Sequence, residues 1–92
     1  VITALVSPFE VDRQRARSIF AEGDFVEVFV DTPVDVCISR DPKGLYKKAA
    51  KGEIPNFTGV GQDYERPIKP EITLDGTADS EASVSAILKV IV

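Results

Sequence analysis

The chain has no histidine, no methionine and only one cysteine among its 92 residues. Lack of histidine excludes histidine-dependent catalytic triads and histidine metal sites within these residues. A lone Cys37 can form no internal disulfide, which fits a reducing cytoplasm. Cys37 falls in the apolar pattern Val34, Val36, Ile38, where a thiol acts as small core filler; a reactive thiol is the alternative. Without methionine the chain does not start at its own initiator, and Val1 to Val6 already reads as a core strand. The expectation is a piece of a longer protein with sequence before Val1, removal of an initiator methionine being the alternative. No apolar stretch nears the roughly 20 residues of a membrane span, and the opening residues lack a basic signal-peptide start. Neither a membrane nor a nucleic-acid partner is expected. The carboxylates Glu10, Asp12, Glu22 and Asp24 read as solvated helix and turn residues, so no metal ligands are assigned to this chain.

What is present is globular material for one small domain: 43% apolar residues and no low-complexity run. Val1 to Val6 is almost continuously apolar, as in a parallel strand covered on both faces. Ser7, Pro8 and Glu10 then make an N-cap, a first helical position and a capping box. An amphipathic helix is predicted to about Ala21, with Val11, Ala16, Ile19 and Phe20 near one face and Arg13, Arg15 and Arg17 interleaved. Phe25 to Val30 reads as a second strand. Thr32 and Pro33 open a short helix to Arg40, and a lysine-rich helix is predicted from about Leu45 to Lys51. Residues 53–70, broken by Pro55, Gly59, Gly61, Pro67 and Pro70, are an expected ordered loop. Glu71 to Leu74 is a short third strand. Ser80 caps a last helix to about Ile91 that buries Val84, Ile87, Leu88 and Ile91. Alternation of strands and helices implies right-handed crossovers and a parallel sheet. Ligands of such sheets bind beyond the carboxyl ends of the strands. Ser7-Pro8, Asp31-Thr32-Pro33 and Asp75-Gly76-Thr77 should therefore face one crevice.

Charge is unevenly spread. Net charge is -4, yet Arg40, Lys43, Lys47, Lys48 and Lys51 place five of eleven basic residues in twelve positions, opposed only by Asp41. Cations on a glycine-hinged segment suit a mobile cover for a phosphorylated ligand; a solvated helix is the alternative. Lys43, in a turn before a helix, presents a point charge to a phosphate or sulfate. The planar Arg40 guanidinium can stack on a base or fork to a phosphate. Phe57 beside Asn56 offers a flat wall for a purine and an amide to read its edge, or else a loop anchor. The helix start at Ser7 is either an anion site or a plain cap. Together these features favour a nucleotide phosphate site.

The strings SPF..DR, FVEVFVDTP, RDPKGLYKKA and GEI..FTG are similar to the adenylylsulfate kinase family, over essentially all 92 residues. The resemblance implies a P-loop nucleoside-kinase-like, three-layer α/β fold with a parallel sheet. Residues 1–92 would be the C-terminal portion of a single kinase domain, with a lid at about 40–59. The family's phosphate-binding loop, GxxGxGKS, and its upstream loop with the catalytic aspartate would lie outside the chain. The implied activity is transfer of the ATP γ-phosphate to the 3'-hydroxyl of adenosine 5'-phosphosulfate, the activating step of sulfate assimilation. ATP is then a co-substrate, and Mg2+ is needed with ligands outside this chain. By resemblance Val6, Ser7, Lys43, Asn56 and Phe57 contact adenylylsulfate. Ser7 also matches a serine that is a candidate phosphoserine intermediate. Arg40 and the turn Thr77, Ala78, Asp79 match positions around the ATP base. A homodimer, and fusion or association with a sulfate adenylyltransferase, are further implications. Three positions depart: Phe9 stands where tyrosine is common, Gly61 replaces an acidic residue, and LDGT replaces LDT, which shifts the register near Thr77. The competing reading is a non-catalytic nucleotide-binding or regulatory module derived from this fold.

Overall fold

Two short parallel strands organise the chain in the computed structural model, which describes residues 1–61 and 63–91. In chain order the elements are α1 (Glu10–Ser18), β1 (Val28–Asp31), α2 (Val34–Arg40), α3 (Leu45–Ala50), β2 (Ile72–Asp75) and α4 (Ser80–Ile91). Val28, Phe29, Val30 and Asp31 pair in parallel with Ile72, Thr73, Leu74 and Asp75, so both strands end level, on an aspartate. Side chains alternate along β2: Ile72 and Leu74 are buried while Thr73 and Asp75 are exposed, as the period of two requires. Phe29, Ile72 and Leu74, with Ala49 of α3, form the buried apolar core. Helix α4 packs against β2.

The predicted first strand does not form. Val1, Ile2, Leu5 and Val6 are exposed, and among the described residues no strand pairs with them. An apolar run becomes a strand only where a neighbour accepts its backbone bonds. Strand β1 starts three residues later than Phe25, because pairing begins opposite Ile72. The capping box at Ser7 is also absent. Ser7 has φ +44, Phe9 is the N-cap residue of α1, and no side chain of that residue caps it. The Glu10 carboxylate bonds Arg13 and Gln14 instead, and the Glu10 N–H donates to Oε1 of Glu65 at 2.8 Å. A distant carboxylate thus takes the capping role. The expected apolar face of α1 is open, with Val11, Ile19 and Phe20 exposed, while Arg13 is buried. Pro33, not Thr32, is the N-cap residue of α2. Val34 and Ile38 are exposed and Cys37 is half-buried, so the thiol is only partly packed. The stripe of α4 is likewise uncovered: Val84, Leu88 and Ile91 are about half exposed, because a two-stranded sheet is too narrow to cover it. Asp79, not Ser80, caps α4, accepting from the Glu81 N–H at 3.3 Å.

The turn after β2 is built around Gly76. Its N–H donates to the Asp31 carbonyl at 3.0 Å, continuing the ladder one residue past the strands. A β-carbon here would lie 1.6 Å from Thr32 Oγ1 and 2.9 Å from Thr32 Cβ. The extra glycine of LDGT is therefore needed for close approach of the two strand ends. Gly76→Ala is expected to destabilise the protein by about 1–3 kcal/mol, the usual cost of forced overpacking. Urea denaturation would read this as a lower midpoint at constant slope.

Candidate functional site

The carboxyl ends of β1 and β2 border a concavity of about 440 Å³, lined by Asp31, Pro33, Thr73, Leu74, Asp75 and Thr77. Its rim is rigid. Asp75 Oδ1 accepts from both the N–H and the hydroxyl of Thr77, at 2.8 and 2.6 Å. These two bonds, the hydroxyl's first, hold the Asp75 carboxyl below the usual carboxylate range. Arg40, at the end of α2, reaches across and donates to the Gly76 carbonyl at 3.0 Å. The structure thus brings Arg40 next to the turn Thr77 to Asp79, two features assigned to the same ligand from sequence. The Asp79 carboxylate is engaged with α4.

The lysine-rich segment runs from Arg40 through α3 to Lys51. Asp41 organises it: its carbonyl accepts from the Gly44 N–H at 3.1 Å, and its carboxylate accepts from the N–H groups of Tyr46 and Lys47 at the start of α3. That carboxylate is spent on the helix N-terminus, where the dipole favours it. Lys43, Lys47, Lys48 and Lys51 are exposed, and among the described residues none lies within 4.0 Å of a carboxylate oxygen. Four cations without ion-pair partners give this face a positive field that an anionic ligand would neutralise. Gly44 and Gly52 flank α3 in the left-handed region, φ +67 and +79. Phe57 meets Tyr46 edge to face, ring centroids 5.0 Å apart, and is half-buried; Asn56 is exposed at φ +54. A β-carbon at Gly59 would meet Tyr46 at 3.6 Å and Val34 at 3.7 Å. Phe57 is therefore anchored on α3 while part of its surface remains open.

Val6 is exposed and Ser7 half-buried on the turn before α1. Ser7 does not line the concavity at the strand ends, and neither do Lys43, Asn56 or Phe57. The turn and the strands are linked by Tyr64, Glu65 and Arg66, which sequence reasoning missed. Tyr64 lies nearly parallel to Phe29, centroids 6.0 Å apart. The Glu65 N–H donates to the Pro8 carbonyl at 2.8 Å. Arg66 forks to Asp31 with bonds of 3.1 and 2.9 Å, its guanidinium 5.0 Å from the Phe29 ring centroid. Three successive residues thus strap the Ser7 turn to the sheet end. Their only mark in the sequence is an aromatic and two opposite charges just before Pro67.

Beneath the strap lies a buried charge network. Arg13 donates to the carbonyls of Ser7 and Glu65 and to the Glu10 carboxylate. Its Nε is 3.4 Å from Glu27 Oε2. Arg17 forks to Glu71 at 2.9 and 2.8 Å, and Glu71 also accepts from the Glu27 N–H. The Arg17 bond holds the Glu71 carboxyl below its ordinary range. Glu27 behaves oppositely: burial, aided by the Glu10 carboxylate, raises its pKa against the pull of Arg13 and Arg17. Its buried Oε1 has no hydrogen-bond partner among the described residues. Because the folded value is raised, the Glu27 contribution is fullest below its ordinary pKa of 4.5 and is lost as pH rises through the folded value. Glu27→Gln, which cannot ionise, should therefore gain in melting temperature relative to the parent as pH rises from 4.5. A pH-independent difference would contradict this assignment.

The strand-end aspartates are engaged, Asp31 by Arg66 and Asp75 by Thr77. Among the described residues no group of three or more metal-ligating side chains occurs. Nor, among the described residues, is any helix long and apolar enough to cross a membrane.

Residues 1–75 match the sequence profile of the adenylylsulphate kinase family. The probable adenylyl-sulfate kinase of Halalkalibacterium halodurans is 56% identical over 92 residues, 99% of this chain and 44% of that protein. The bifunctional enzyme NodQ of a Rhizobium species is 60% identical over 74 residues, 80% of this chain and 12% of its own. The Mycobacterium tuberculosis APS kinase CysC, solved in complex with AMPPNP and APS, matches with a TM-score of 0.88 at 39% identity, covering 95% of this chain and 51% of that one. The chain thus spans 44% of the first relative's length and 51% of the solved kinase. With its parallel sheet, its cationic segment and a profile match over most of its length, the chain belongs to the adenylylsulphate kinase family.

Proposed function

We propose that the protein carrying this chain is an adenylylsulfate kinase of sulfate assimilation and that residues 40–59 are its lid. The observation that carries this reading is the set of lysines on α3 and its flanking turns, without ion-pair partners among the described residues, beside the half-open Phe57 ring. Lys43 is proposed to meet the phosphosulfate, Asn56 and Phe57 the adenine, and Val6 and Ser7 the far side of adenylylsulfate. Arg40 and Thr77 to Asp79 are proposed to flank the ATP base. In the reaction the substrate 3'-oxygen attacks the γ-phosphorus, the bond to the β,γ-bridging oxygen breaks, and the hydroxyl proton is released. Such transfer depends on positioning and charge stabilisation. A closing cationic lid supplies both and excludes the water that would otherwise hydrolyse ATP. The phosphate-binding loop, the catalytic aspartate and the magnesium ligands are proposed to lie outside residues 1–92. The remaining assignments are a single kinase domain, a cytoplasmic site of action, a homodimer, and Ser7 as a site of phosphorylation. Fusion with a sulfate adenylyltransferase fits the bifunctional relative.

The test is a coupled assay of the full-length protein with ATP and adenylylsulfate. Formation of 3'-phosphoadenylylsulfate is expected, with none from residues 1–92 alone. Binding of adenylylsulfate without turnover by the full-length protein would favour a non-catalytic module.

A further inference from the structure

We infer that Arg13 is a positioning residue for adenylylsulfate, holding the Ser7 turn against the segment that returns from the lid. This rests on the functional reading above. Ser7 is not glycine, yet it sits at φ +44. Such a conformation persists only where the surroundings fix it. Here the fixing group is identifiable: the buried Arg13 guanidinium donates to the Ser7 carbonyl and, from its other amino group, to the Glu65 carbonyl. Glu65 completes the clasp from its own side. Its N–H holds the Pro8 carbonyl and its carboxylate holds the Glu10 N–H, both at 2.8 Å. Four bonds therefore join residues 7–10 to one residue of the strap, two of them through Arg13.

A plain core ion pair would look different. Arg13 approaches Glu27 only to 3.4 Å, while its hydrogen bonds go to Glu10 and to the two carbonyls. A guanidinium can serve several acceptors because its donors diverge in one plane; an ammonium cannot match that fork. Since the next residue, Arg66, is bonded to Asp31 at the end of β1, the clasp also fixes the turn relative to the sheet. Displacement of the strap would therefore move Ser7.

The test uses steady-state kinetics of the full-length protein with each substrate varied. Arg13→Lys keeps the charge and loses the fork. It should raise KM for adenylylsulfate roughly tenfold or more, since small misplacements of positioning groups carry large penalties, with KM for ATP little changed. Glu65→Ala removes an exposed carboxylate and should shift the same KM in the same direction by a smaller factor. If Arg13→Lys does not fold, Arg13→Gln, which keeps a donor for one carbonyl but not for both, decides the matter. Unchanged KM for adenylylsulfate in the folded variants, or equal change for both substrates, would overturn the inference. Failure of the parent protein to turn over adenylylsulfate would instead overturn the functional reading, before any variant is made.

Discussion

Arg13→Ala is expected to lower folding stability by about 3–5 kcal/mol, the range for removing one partner of a buried ion pair. The truncation leaves Glu27 buried, with Arg17 at 3.7 Å as its remaining cation. It also takes the Arg13 donor from the Glu10 carboxylate and from two carbonyls. Those two losses separate experimentally. The Glu27 part is relieved by protonation, so the deficit should shrink as pH falls toward 4.5. The double variant Arg13→Ala, Glu27→Gln should recover part of the loss at pH 7, through the coupling expected of residues in one network. Urea unfolding of the four proteins of this cycle checks it. Strictly additive losses would mean that the arginine and the glutamate do not share a network.

Lys43→Ala is expected to weaken adenylylsulfate binding by about 1.5–3 kcal/mol, the range for a hydrogen bond to a charged group. That is roughly a tenfold to a hundredfold rise in Kd. Lys43 is exposed and has no carboxylate within 4.0 Å among the described residues, so its removal leaves no orphaned partner in the free protein. Stability should stay nearly constant, which separates this variant from Arg13→Ala. ATP binding should change less than adenylylsulfate binding. Calorimetric titration with each nucleotide measures both. An equal loss for both would refute the assignment of Lys43 to the sulfated substrate.

The two substitutions also mark what the sequence could and could not disclose. The lysine-rich segment was legible. The Asp41-Pro42-Lys43-Gly44 turn and helix α3 follow from a helix breaker, a glycine and good helix formers, all within a few residues of each other. Strand β2 and its turn were legible for the same reason: apolar alternation followed by Asp75-Gly76. Arg13 was not. Interleaved arginines on a helix normally mark the solvated face, and the acceptors that draw this one inward include a carbonyl 52 residues away. The cap of α1 failed in the same way. Ser7 and Glu10 fit a local capping box, yet a carboxylate 55 residues distant satisfies the Glu10 N–H. Local chemistry predicted segments whose conformation is set by their own residues and immediate neighbours. It could not predict which elements find a neighbour, hence the unpaired Val1 to Val6 run and the open apolar stripe of α4. For the proposed site, residue types suggested the lysines and Phe57, whereas the strap of Tyr64, Glu65 and Arg66 emerges only from tertiary contacts.

The most direct measurement is a crystal structure of the full-length protein with adenylylsulfate and a non-hydrolysable ATP analogue. The substrate adenine is expected against the Phe57 ring, and the Lys43 Nζ within about 3 Å of a phosphosulfate oxygen, a normal hydrogen-bond distance. Adenylylsulfate bound elsewhere, with residues 40–59 turned away from it, would refute the assignment of these residues as a lid.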